Sequence, residues 1–205
     1  MTESKVVPGF LPSTGGLHFA NRFPSGPTLR LGPLDPRWIG IGDAASGLCG
    51  GMAWFVRESF VAGQAIPPDT NAPANGSPLF QALVRRQVKS LEWFRTPLGF
   101  WWIGGFGTDR TARRTREQEW PRIRATIDAG RLAMIGLVRH KGANPFNLTK
   151  SHQVLGYGYT LDGDTVTLRI YDPNWPDRDD VTIVIGPGAI SQSTGETLYG
   201  ILALA

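Results

Sequence analysis

Cys49 is the only cysteine in the chain and stands in the run Ser46-Gly47-Leu48-Cys49-Gly50-Gly51-Met52. Met52, Phe55, Val56 and Phe60 then recur at helical spacing while Arg57 and Glu58 fall opposite. This spacing predicts an amphipathic helix that begins near Cys49 and ends around Gly63. A thiol in the first turn of a helix lies among unpaired amide groups at the positive end of the helix dipole, a setting that lowers its pKa. Gly50 and Gly51 are poor helix formers, and their missing side chains leave room for a substrate backbone to approach the sulfur. The competing reading is a buried cysteine acting as a small hydrophobe.

A nucleophilic thiol needs a base, and the chain offers His18, His140 and His152. His152 has the best setting, because it opens the strand-like run Ser151-His152-Gln153-Val154-Leu155-Gly156-Tyr157-Gly158-Tyr159, where a polar first residue can reach a site while the rest stays buried. His140 follows the apolar run Met134 to Val138 and reads as a strand-end surface residue. A third member follows from strand parity across the turn Leu161-Asp162-Gly163-Asp164. With a three-residue loop, Leu161 to Gly163, His152 faces Asp172. With the two-residue loop Asp162-Gly163 the two point to opposite faces unless a bulge intervenes. Asp172 is therefore the expected orienter of the imidazole, with Asn174 as the alternate.

The elements that must hold these residues follow from periodicity. Residues 1–42 carry Pro8, Pro12, Pro24, Pro27, Pro33 and Pro36 and read as an irregular strap with Phe10, Leu17, Phe19 and Phe23 to bury. A second helix puts Phe80, Leu83, Val84, Val88 and Leu91 on one stripe and Arg85, Arg86 and Lys89 on the other face. A third is expected from Trp120, with Pro121 at its first position, to a cap at Gly130. Beyond Gly130 the pattern becomes β-rich: Leu132–Val138, Gln153–Thr160, Thr165–Tyr171, Val181–Ile185 and Thr197–Leu204. The division expected is a strap over 1–42 and one domain over 43–205, helical over 43–130 and sheet over 131–205. That is an α+β fold with a cleft between its halves.

Composition agrees with one packed unit. The 205 residues are 41% hydrophobic and 19% charged, which excludes global disorder, and 26 glycines with 16 prolines speak against a helical bundle. A single cysteine excludes an internal disulfide framework and a thiolate zinc site. No signal peptide or long apolar span is visible, so a cytoplasmic location without membrane insertion is expected. The net charge of +4 gathers in Arg85, Arg86, Lys89, Arg110, Arg113, Arg114, Arg116, Arg122, Arg124 and Arg131. No nucleic-acid motif accompanies them, and a solvated helical face is the reading. Asp172, Asp177, Asp179 and Asp180 lack the glycine and terminal glutamate of a calcium loop. Neither a metal nor a dinucleotide cofactor is expected.

The Cys-Gly-Gly at a helix start, the SHQVLGYGY strand and the YDPNWP turn together resemble the papain-like cysteine peptidases, in a form similar to bacterial double-glycine leader peptidases. The resemblance covers most of residues 40–205 and does not extend to the strap. It implies a central helix headed by the Cys49 nucleophile, packed against a C-terminal antiparallel sheet that carries His152 as base and Asp172 as orienter. It also implies a peptide or amide substrate. Such peptidases hold a Gln six residues before the nucleophile to donate to the oxyanion, and here that position is Asp43. An ionised carboxylate there would repel an oxyanion, and the loss of one donor costs about 100- to 1000-fold in rate. The expected activity is thiol hydrolysis through a Cys49 acyl-enzyme. The alternatives are an acyl transferase or transglutaminase-like enzyme, in which an amine resolves the same thioester, and a non-catalytic binding module that keeps the fold.

Overall fold

A computed structural model of the chain describes residues 2–23, 47–92, 108–139 and 152–204. Asp43, His140 and the Trp101-Trp102 segment lie outside them. The described elements are β1 (Glu3–Val6), α1 (Pro12–Gly15), α2 (Cys49–Val61), α3 (Pro78–Glu92), α4 (Thr108–Arg114), a π-helical turn (Thr115–Glu119), α5 (Trp120–Asp128), β2 (Ala133–Val138), β3 (His152–Asp162), β4 (Thr165–Tyr171), β5 (Thr182–Ile185), β6 (Ile190–Gln192), β7 (Thr197–Leu198) and β8 (Gly200–Ala203). The class is mixed α+β, with antiparallel strand pairing throughout the described sheet.

The sheet runs β7-β6-β5-β4-β3-β2-β8. The long β3 serves one edge to two partners in succession, pairing His152 to Gly156 with β2 and Gly158 to Leu161 with β1. The amino-terminal segment is therefore not wholly irregular, as its prolines suggest. Its first residues complete the sheet, and Phe10, Leu17, Phe19 and Phe23 join the same hydrophobic core as Met52, Leu83, Ile135 and Tyr157. The Tyr159 hydroxyl, at the end of a buried ring, donates to Asp128 Oδ1 at 2.7 Å and lies 3.1 Å from Glu3 Oε1. Arg124 pairs with that same Glu3, so β1 is pinned to α5 as well as to β3.

Helix α2 lays Met52, Ala53 and Val56 into the core and packs against both α3 and β3. Full burial of Met52 and of Val56 stabilises by roughly 1.5–3 kcal/mol each. Helix α5 ends at Gly130 as its sequence predicts: with φ at +70°, Gly130 N–H bonds the Ile127 carbonyl and Arg131 N–H bonds that of Thr126.

That helix starts at Trp120 with Pro121 in its first turn, as its sequence predicts, but what precedes it is not a loop. The chain is already helical from Thr108 and passes through Pro121, which has no N–H and whose ring would crowd the preceding turn. The turn before it is opened to π geometry, with Trp120 N–H bonding the Thr115 carbonyl five residues back. This turn also sets Thr115 and Glu119 against the edge strand β8. Thr115 Oγ1 accepts the Ile201 N–H at 3.2 Å, and Glu119 Oε2 accepts the Ala203 N–H at 3.1 Å. Edge amides that would otherwise invite another strand are thereby satisfied.

Three further differences lie in the sheet. The run Thr197–Leu204 is broken at Tyr199 into two strands, and Ile190–Gln192 forms a strand that its sequence does not announce. The β3–β4 hairpin closes on Asp162 and Thr165, with a two-residue loop and Gly163 at φ +55°, not on the Leu161–Gly163 loop.

Candidate functional site

The register of β3 and β4 sets the site. Pairs from Asp162↔Thr165 to Gly158↔Arg169 put His152 and Asp172 on opposite faces if the register is carried through unchanged. A bulge between Gly156 and Gly158 takes up one residue, so that Gly156 pairs with Ile170 and Leu155 with Tyr171. That single inserted residue returns His152 and Asp172 to the same face. His152 Nε2 lies 2.6 Å from Asp172 Oδ1, with both side chains buried.

Asp172 is fixed by its own turn. Pro173 follows it and ends the strand, Trp175 N–H bonds the Asp172 carbonyl at 2.9 Å, and Asn174 N–H donates to Asp172 Oδ1 at 2.9 Å. The other carboxylate oxygen, Oδ2, accepts Gln192 Nε2 at 2.7 Å. Gln192 is itself buried and lies on β6. Asn174 contributes its backbone N–H to Asp172, and its side-chain oxygen accepts from Asn21 Nδ2. The carboxylate on His152 is that of Asp172.

Cys49 is the first residue of α2 and is buried. The residue before it, Leu48, has no side-chain oxygen to cap the helix, and two distant amides do this work. Asn21 Oδ1 accepts the Leu48 N–H at 2.6 Å, and Gln87 Oε1 accepts the Gly51 N–H at 2.8 Å. The Cys49 sulfur hydrogen-bonds His152 and receives the backbone N–H groups of Gly50 and Gln153. With His152 Nε2 engaged by Asp172, the imidazole bridges thiol and carboxylate, one ring nitrogen to each.

The electrostatics follow from that chain. Burial alone would push the Cys49 thiol up, but the charge and hydrogen bond of His152, with the two backbone N–H groups, outweigh it and hold the thiol below its ordinary value. Burial would likewise lower the imidazole, yet Asp172 and Cys49 flank it with negative charge and drive it up to about 10. Asp172 is held below the carboxylate range, against its burial, by His152, Asn174 N–H and Gln192. The arrangement favours thiolate, imidazolium and carboxylate in a row.

Gly50 and Gly51 have a different explanation from the one their position suggests. A Cβ on Gly51 would stand 2.2 Å from the Leu83 carbonyl oxygen, and one on Gly50 would stand 2.6 Å from Ser90 Oγ and 2.8 Å from Gln153 Oε1. Their side chains are absent because α2 crosses α3 and the start of β3 at close range, on the inside of the helix.

Asp43 lies outside the described residues. Asp177, Asp179 and Asp180 each have protein partners, in His18, Ser13 and Arg178 respectively. Among the described residues, no group of three His, Cys, Asp or Glu side chains is arranged to hold a metal ion, and no helix is long and apolar enough to cross a membrane. Arg86, Arg114 and Arg124 of the basic stretch are paired with Glu58, Glu119 and Glu3. A cavity of about 600 Å³ lies between the π turn and the β3–β4 hairpin, lined by Arg113, Trp120 and Asp164 among others, and none of its lining residues belongs to the Cys49 site.

Gln192 and Asn21 escape a reading of the sequence. Gln192 sits in a three-residue strand reading Ile-Ser-Gln, too short for alternation to register, and Asn21 lies in a proline-rich stretch without period. No protein-family model, no curated protein and no solved structure matches the chain.

Proposed function

We propose that this protein is a thiol hydrolase of the papain-like type, a peptidase or amidase working through an acyl-thioester on Cys49. The observation that carries the reading is the buried row in which His152, bonded to Asp172 at 2.6 Å, also stands against Cys49, with the imidazole driven up and the thiol driven down. A structural cysteine needs neither a base nor an oriented carboxylate behind that base. The order of elements agrees with the reading, since a Cys-headed helix packs on the strand that His152 opens. A cleft between the helical and sheet halves belongs to the proposal, as does a cytoplasmic location, where a lone thiol stays reduced.

In the proposed reaction the Cys49 thiolate attacks the substrate carbonyl carbon. The C–S bond forms and the carbonyl electron pair moves to oxygen. The returning electron pair then breaks the C–N bond, and the His152 imidazolium gives its proton to the departing amine. Neutral His152 next takes a proton from water, whose oxygen attacks the thioester. Breaking the C–S bond releases the acid and restores thiolate and imidazolium. Asp172 stabilises the charged imidazole in both halves of the cycle. The Cys49 backbone N–H is the proposed oxyanion donor.

The test is covalent capture. A peptidyl vinyl sulfone, which adds to activated thiolates, is expected to label wild type once, at Cys49, and to label His152→Ala far more slowly. Labelling of wild type no faster than of the denatured chain contradicts the reading.

A further inference from the structure

Resting on that reading of Cys49, His152 and Asp172, we infer that Asn21 is a positioning residue that locks the turn entering Cys49 to the turn leaving Asp172. The amino-terminal segment would then be part of the active centre and not only a covering strap.

The two halves of the site come from places distant in the chain: the thiol from the start of α2, the carboxylate from the turn after β4. Asn21 bridges them with three hydrogen bonds. Its Oδ1 accepts the N–H of Leu48, the residue immediately before Cys49, at 2.6 Å. Its Nδ2 donates to Asn174 Oδ1 at 3.2 Å, and its own backbone N–H donates to the Pro173 carbonyl at 2.9 Å. Pro173 and Asn174 are the two residues that follow Asp172, and the Asn174 N–H grips the same carboxylate oxygen that bonds His152. One residue thus touches a neighbour of the nucleophile, through its side chain, and the two residues after the orienter, through side chain and backbone.

The backbone at Gly47 is shaped to admit that amide. Gly47 has φ +88°, and a Cβ there would lie 2.5 Å from Asn21 Nδ2. The chain leading to Cys49 can therefore pass directly over the Asn21 side chain. Nearby contacts tie the rest of the segment to the same acidic loop: His18 Nδ1 meets Asp177 at 2.5 Å, and the Ser13 backbone N–H and hydroxyl donate to Asp179. Those contacts hold the segment down. Of these contacts, those of Asn21 reach the start of the helix that bears the thiol as well as the turn that bears the carboxylate.

A thiolate that depends on His152 is sensitive to small displacements of α2 against the His152–Asp172 pair. Loosening the strut lowers the thiolate fraction without touching a reacting atom. The experiment is the rate of iodoacetamide alkylation of Cys49 against pH, for wild type, Asn21→Ala and Asn21→Gln, with folding followed by near-ultraviolet circular dichroism. In Asn21→Ala both side-chain bonds are lost, and the inflection is expected to rise by about one unit, a tenfold loss of thiolate at lower pH. Asn21→Gln keeps the amide one methylene out of place and is expected to shift in the same direction, which decides the matter if the alanine variant does not fold.

A depressed wild-type inflection left unchanged in both Asn21→Ala and Asn21→Gln overturns the positioning role alone. A wild-type inflection at the free-thiol value of about 8.5 overturns the reading of the site, and this inference with it.

Discussion

Gln192 Nε2 donates to Asp172 Oδ2 at 2.7 Å, on the side of the carboxylate away from His152. The pairing leaves neither oxygen of this buried carboxylate without a donor, which is what allows it to stay ionised out of water. Gln192→Leu removes the donor and strands Oδ2. The expected result is a loss of about 1.5–3 kcal/mol in urea-induced unfolding, the usual worth of a hydrogen bond to a charged group. A weaker negative charge behind the imidazole should also raise the Cys49 inflection, and unchanged stability and titration would remove Gln192 from the site.

The site predicts an unusual pH dependence of stability. The imidazole has its ordinary value near 6.5 in the unfolded chain and about 10 when folded, so its contribution is complete below pH 6.5 and is lost as pH rises through about 10. The thiol, ordinarily near 9.0, is lowered, so its contribution is complete above 9.0 and is lost as pH falls through the folded value. Where His152 keeps a proton that Cys49 has given up, the two slopes cancel. Cys49→Ser removes the thiol's part and leaves the imidazole raised by Asp172. Between pH 6.5 and 9 this variant should lose stability with rising pH relative to wild type, by up to about 1.4 kcal/mol per unit in denaturant titrations. Parallel curves would contradict the charge pair.

Gly51 reports how closely α2 approaches α3. Gly51→Ala drives a Cβ toward the Leu83 carbonyl oxygen at 2.2 Å, and backbone cannot swing aside as a side chain can. A loss of about 1–3 kcal/mol or more is expected from overpacking, with a displaced thiol as a consequence. At Gly188 a Cβ meets nothing within 4 Å, and Gly188→Ala should stay within about 0.5 kcal/mol of wild type. Equal effects at the two positions, measured by urea unfolding, would refute the packing account.

Glu119 joins the π turn to the sheet edge. Its carboxylate, 1% exposed, pairs with Arg114 at 3.1 Å and accepts the Ala203 N–H. Glu119→Ala leaves that amide without its acceptor, while Arg114, 31% exposed, keeps access to water, and the change is expected to cost about 1–3 kcal/mol, the range for an unsatisfied buried group. Faster amide exchange at Ala203 should accompany the loss, and protection equal to wild type would contradict it.

The sequence made the meeting of Cys49, His152 and Asp172 easier to read than the framework around them. Cys49, His152 and Asp172 were legible because each stands at the boundary of an element with clear period, and because alternation ties His152 to Asp172 through one hairpin. The bulge that satisfies this parity was named only as an option, since nothing in Gly156-Tyr157-Gly158 says which residue the opposite strand will skip. The helical stretch before Trp120 was not legible. Thr108–Arg114 carries no apolar stripe, and Pro121, which does stand in the first turn of its helix, gives no sign that a π turn leads directly into it. Gly50 and Gly51 looked like room for a substrate because their neighbours, Leu83 and Ser90 on α3, are joined to them only by tertiary packing.

The most direct test of the account is the pH dependence of iodoacetamide alkylation at Cys49, the lone cysteine, in wild type and in His152→Ala. The expected wild-type inflection lies well below the free-thiol value of about 8.5, and the His152 change should move it upward by more than a unit. An inflection at the free value in wild type, or one indifferent to His152, would contradict the thiolate–imidazolium pair and leave Cys49 a structural residue.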